Sequence, residues 1–85
     1  MFDKLIFNAH RTVPGAMIAT HTFENGWTVS VATGPWHNRI IMSDGPDEFD
    51  CVRINPAGKL CVNSNVGHQD KEGVNAFIRE TINKE

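Results

Sequence analysis

Phe23-Glu24-Asn25-Gly26-Trp27 and Asn55-Pro56-Ala57-Gly58-Lys59 read as the same β-hairpin connection, and they decide the fold. A three-residue hairpin loop is usually a type I turn followed by a residue at positive φ, a place glycine takes at low cost. Glu24-Asn25-Gly26 and Pro56-Ala57-Gly58 both put glycine there, and Pro56 has the φ wanted at the first turn position. A two-residue Asn25-Gly26 loop is the competing reading, and register separates the two. The three-residue loop pairs Phe23 with Trp27, His21 with Val29, Ala19 with Val31 and Met17 with Thr33. Thr22/Thr28, Thr20/Ser30 and Ile18/Ala32 then share the other face, so large apolar groups sort to one side. The two-residue loop would set Phe23 opposite Thr28 and mix both faces.

The same rule applied to the second turn pairs Ile54 with Leu60 and Val52 with Val62 on an expected core side. Asn55/Lys59, Arg53/Cys61 and Cys51/Asn63 are expected on the outer side. Working outward, strands are predicted over 16–24 and 27–33, a short third over Arg39–Met42, and two more over 48–55 and 59–64. After Asn63-Ser64-Asn65 the apolar period changes from two to about 3.6, which predicts a helix over Gln69–Asn83. Val74, Phe77, Ile78 and Ile82 form its apolar stripe, and Gly73 is expected to allow a close approach to the sheet. Phe2, Leu5, Ile6 and Ala9 fit a short N-terminal helix ended by Pro14-Gly15; the alternative is an edge strand at Leu5-Ile6-Phe7. The expected fold is α+β: an antiparallel meander of four to five strands with a C-terminal helix across one face. Residues 1–85 are read as a single domain.

Composition narrows the function classes. A net charge of −2 with no basic stripe disfavours direct nucleic-acid binding through phosphate neutralisation. No apolar run reaches the length of a membrane span, and Asp3, Lys4 and Asn8 break any secretory leader, so the chain reads as cytoplasmic. Cys51 and Cys61 are expected as free thiols on the outer face. A core this small is commonly helped by oligomerisation, so a homodimer is compatible with the sequence.

No catalytic pattern stands out. His10, His21, His37 and His68 are isolated, with no Cys-x-x-Cys or His-x-x-x-His spacing, so no metal site and no cofactor are expected. His21 and Trp27 are expected to face the core. The acidic stretch Asp44-Gly45-Pro46-Asp47-Glu48-Phe49-Asp50 does not match a calcium loop; its default reading is a solvated loop, and a basic partner surface is the natural complement if it binds. Trp36 lies in a Gly-Pro segment beside His37, with Arg39 just beyond. Trp and Arg are enriched among interface hot spots, whereas the alternative is that Trp36 folds back as a lid over the open end of the sheet. The candidate partner-binding residues are therefore Trp36, His37, Arg39, Asp44, Asp47, Glu48 and Asp50.

Phe23-Glu24-Asn25-Gly26-Trp27-Thr28-Val29-Ser30-Val31, the Asn-Pro-Ala-Gly turn and the short terminal helix resemble the layout of small orphan proteins of bacteriophages. Anti-CRISPR and other host-takeover inhibitors belong to that group. The resemblance implies a non-catalytic inhibitor that occludes a bacterial host protein or defence complex, such as a CRISPR effector, in the host cytoplasm. The alternatives are a homo-oligomeric structural or assembly protein that pairs exposed strand edges, and a small enzyme using a Cys–His pair.

Overall fold

The structure is a computed structural model, and it describes residues 4–10, 14–34, 48–61 and 65–84. Five strands form one antiparallel sheet in chain order: β1 (Asn8–Ala9), β2 (Met17–Thr22), β3 (Thr28–Thr33), β4 (Phe49–Ile54) and β5 (Val66–Gln69). The helix α1 (Lys71–Ile82) follows and lies against β3, β4 and β5. This is the α+β meander expected from the two turns.

The first hairpin has the three-residue register. Thr22 faces Thr28, His21 faces Val29, Ala19 faces Val31 and Met17 faces Thr33. The two loops are closed by equivalent bonds. Phe23 N–H donates to Trp27 O at 2.8 Å and Gly26 N–H to Phe23 O at 3.0 Å. Asn55 N–H donates to Lys59 O and Gly58 N–H to Asn55 O, both at 2.9 Å. Gly26 and Gly58 hold φ of 87° and 83°, which a side chain would strain. The loops also touch, since a Cβ at Gly26 would stand 3.1 Å from Pro56 Cβ.

The second hairpin departs from expectation in its faces. β4 docks on β3 with Val29 opposite Arg53 and Val31 opposite Cys51. That register turns Phe49, Cys51 and Arg53 toward α1, beside Ala19, Val29 and Val31, and leaves Val52 and Ile54 half-buried on the far face. Counting aliphatic residues on the isolated hairpin picked the wrong side. The parity is set by the neighbouring strand, because side chains alternate strictly and one register step inverts both faces.

Of the second arm predicted over 59–64, the structure describes residues 59–61. Leu60 bridges to Ile54, and Cys61 N–H donates to Arg53 O at 2.9 Å. The fifth strand is instead β5, which pairs Gln69 with Phe49 and Val66 with Cys51 across an irregularity between them. His68 there adopts φ 54°, rare for a residue with a Cβ, and it interrupts the alternation that would have marked the strand. The predicted strand at Arg39–Met42 and the partners Val62 and Asn63 lie outside the described residues.

Helix α1 starts two residues later than expected. Asp70 is its N-cap and accepts from Gly73 N–H at 2.8 Å. Its buried face is Val74, Phe77, Ile78 and Thr81, while Ile82 is 45% exposed. Thr81 completes the i, i+3, i+4, i+7 series from Val74, and its hydroxyl has a specific partner, described below. A Cβ at Gly73 would crowd the Gln69 side chain, whose amide end would have to turn away. The main core comprises Leu5, Ala19, Val29, Val31, Phe49, Cys51, Val74, Phe77 and Ile78. A second, smaller cluster on the far face holds Ala16, Ala32 and Ile18. The expected N-terminal helix is not seen over residues 5–10, where Asn8 and Ala9 pair with Ile18 and Met17 as an edge strand; Phe2 lies outside the described residues.

Candidate functional site

The two ends of the sheet differ in character. At one end stand both hairpin loops and the C-terminus of α1. At the other, β3 ends at Thr33 and β4 begins at Phe49, adjacent strands with residues 34–48 between them in sequence. Two to five residues suffice for an antiparallel connection, so this one is far longer than closure requires. It carries most of the candidate binding residues. Trp36, His37, Arg39, Asp44 and Asp47 lie outside the described residues; Glu48 and Asp50 lie within them.

Glu48 is half-exposed at the point of re-entry, and its Oε1 lies 2.8 Å from Nδ1 of His68. The contact joins the end of the long connection to the irregular turn of β5, so it places an acid and an imidazole side by side. Nothing in the spacing of Glu48 and His68 signalled this pair. Asp50 sits on β4 opposite Ala32, on the face away from α1. That face continues through Thr20, Ser30 and Val52 to Thr22, Thr28 and Ile54. The Thr22 and Thr28 hydroxyls are 2.8 Å apart across the strands.

The two thiols differ in their surroundings. Cys51 is fully buried rather than outward-facing, and burial first, with the Asp50 carboxylate second, pushes its pKa up to about 12 against the lowering pull of Arg53. It stays a thiol at neutral pH and cannot serve as a thiolate. Cys61 is half-exposed, with Sγ 3.9 Å from Lys59 O. Among the described residues no group of three or more His, Cys, Asp or Glu side chains is placed to hold a metal. His21, expected in the core or at its rim, is exposed. It lies on the α1 side but beyond the helix's cover, with its ring 4.9 Å from that of Phe23.

Two polar anchors escaped the sequence reading. Arg53, expected outside, is 4% exposed between sheet and helix. Its Nε donates to Thr81 Oγ1 at 2.7 Å, Nη2 donates to Phe77 O at 3.2 Å and to Glu80 at 3.3 Å, and Cζ sits 4.1 Å from the Phe77 ring centroid. The second anchor is Asn25 in the first hairpin loop. Its Nδ2 donates to the carbonyls of Thr81, Ile82 and Lys84 at 2.8, 3.1 and 3.0 Å, and its Oδ1 accepts from Trp27 N–H. A side chain remote in sequence thus adds a donor to carbonyls at and just beyond the end of α1, where Thr81 O also accepts from Lys84 N–H at 3.2 Å. Trp27 beside it is half-buried, with Lys84 Nζ 5.0 Å from its ring centroid.

No protein-family model matches this chain, and no curated protein or solved structure matches it either. Among the described residues no helix is long and apolar enough to cross a membrane.

Proposed function

We propose that this protein is a non-catalytic binding domain that inhibits a bacterial protein or defence complex by occlusion, as its resemblance to phage inhibitors suggests. The observation that carries the reading is the connection between β3 and β4. Antiparallel neighbours need a short turn, yet residues 34–48 intervene, and they hold Trp36, His37, Arg39, Asp44, Asp47 and Glu48. Binding residues concentrate on long connections carried by a rigid scaffold. Asp50 follows two residues after Glu48, on β4. The acidic cluster suits a basic partner surface, where it would steer encounter.

The burial of Cys51 weighs against the Cys–His enzyme reading. The bulged β5 edge, with His68 at positive φ, is a poor template for strand addition and weighs against edge-paired assembly.

Affinity capture from bacterial lysate tests the proposal. Wild-type protein should retain one defined partner at moderate salt. Trp36→Ala should lose it, and the double change Asp47→Lys with Glu48→Lys should slow its association, with the far-ultraviolet spectrum unchanged. No retained partner refutes the binding reading. Equal retention by all three proteins refutes the assigned surface.

A further inference from the structure

We infer that Asn25-Gly26 is a self-modification site, held in check by the docking of the α1 C-terminus on the first hairpin. The dipeptide is the single Asn-Gly pair in the chain. A glycine after asparagine offers no side chain to block attack of its backbone nitrogen on the asparagine amide. In that reaction Gly26 N loses its proton to solvent base and bonds to Asn25 Cγ. The Cγ–Nδ2 bond breaks, and Nδ2 takes up a proton and leaves as ammonia. Water then opens the resulting succinimide. Addition at Cγ gives an aspartyl residue; addition at the main-chain carbonyl gives an isoaspartyl residue.

The fold opposes each early requirement of this chemistry. Gly26 N–H is committed to Phe23 O at 3.0 Å. The Asn25 amide is held by three carbonyls and by Trp27 N–H, so Cγ cannot turn freely toward the Gly26 nitrogen. Reaction therefore requires the helix end to lift from the loop, a local opening rather than global unfolding. A shallow groove lined by Phe23, Glu24, Asn25 and Ile82 brings solvent to the edge of the latch.

The products cannot close it again. A carboxylate in place of the amide faces three carbonyl oxygens at the negative end of the helix. An isoaspartyl link adds a backbone carbon to a loop whose bonds, Phe23 to Trp27 and Gly26 to Phe23, fix its length. Conversion is thus one-way, and it leaves a chain whose helix end is undocked from the first hairpin. The site functions as a timer on the native state, reset only by synthesis.

The test incubates wild-type protein in mildly alkaline buffer, native and in guanidinium chloride, with peptide mapping of aspartyl and isoaspartyl products. Mapping separates Asn25 from Asn63, which precedes Ser64. Conversion at Asn25 should be at least about tenfold slower in the native protein, the protection a latch of about 1.4 kcal/mol gives. Thr81→Val, which loosens the same helix end and leaves the dipeptide intact, should convert faster than wild type in native buffer. Converted wild-type protein, separated by ion exchange, should melt lower than unconverted protein. Equal native and denatured rates, no acceleration by Thr81→Val, or an unchanged melting point would each overturn the inference.

Discussion

Thr81→Val should damage this protein more than Arg53→Met, although the arginine carries the charge and makes more contacts. Thr81 is fully buried; its hydroxyl accepts from Arg53 Nε at 2.7 Å and donates to Phe77 O at 2.8 Å. Exchanging the hydroxyl for a methyl keeps the volume but leaves a buried, charged N–H facing carbon. An orphaned donor of that kind costs about 2–3 kcal/mol. Arg53→Met removes the charge together with its desolvation, and the thioether can still lie against the Phe77 ring. The Thr81 hydroxyl keeps its bond to Phe77 O, so no polar group is stranded. The Glu80 ion pair contributes little, because the Glu80 side chain is 72% exposed. The net cost of Arg53→Met is about 1 kcal/mol or less. The double variant strands nothing and should cost less than the sum of the singles, with a coupling of about 1.5–2 kcal/mol. Urea denaturation followed by tryptophan fluorescence measures this, provided the m-value is constant. In a domain this small, Thr81→Val should lower Tm by about 10–20 °C. Equal costs for the two single changes, or strict additivity, would refute the reasoning.

Asn25→Asp should destabilise by about 2–3 kcal/mol and Asn25→Ala by about 1–2 kcal/mol, read from denaturation midpoints. The deficit of Asn25→Asp should shrink on acidification, because a protonated carboxyl can donate to the helix carbonyls again. Cys51 should resist a thiol reagent in the folded protein while Cys61 reacts, as the number of labelled thiols before and after denaturation will show. The raised pKa of Cys51 favours the native state fully below the ordinary thiol value of 9.0, and that contribution is lost as pH climbs toward about 12. Stability should therefore fall through that alkaline window by up to about 1.4 kcal/mol per unit, and less steeply in Cys51→Val. Gly26→Ala should cost more than Gly58→Ala, by about 1 kcal/mol, since both strain a positive φ but Gly26 alone crowds Pro56. Thermal melts compare them directly.

The sequence by itself determined whatever is local. Turn chemistry at Gly26 and Gly58, strict alternation in β2 and β3, and the Val74-Phe77-Ile78 spacing act over a few residues, so the first hairpin's register and the helix's existence are legible without the fold. Everything that failed involved a second element. Whether Cys51 and Arg53 face in or out depends on how β4 registers against β3, a choice worth one residue of slip that no single strand encodes. Arg53 can be inside because Thr81 and Phe77 O meet it there, and Asn25 can cap a helix that starts dozens of residues later because the hairpin loop ends beneath it. His68 and Glu48 meet for the same reason, through a bulge that breaks the very pattern used to find strands. Hydrophobic sorting is a property of a segment, whereas partners for polar groups are supplied by packing, and that is where tertiary structure made the decision.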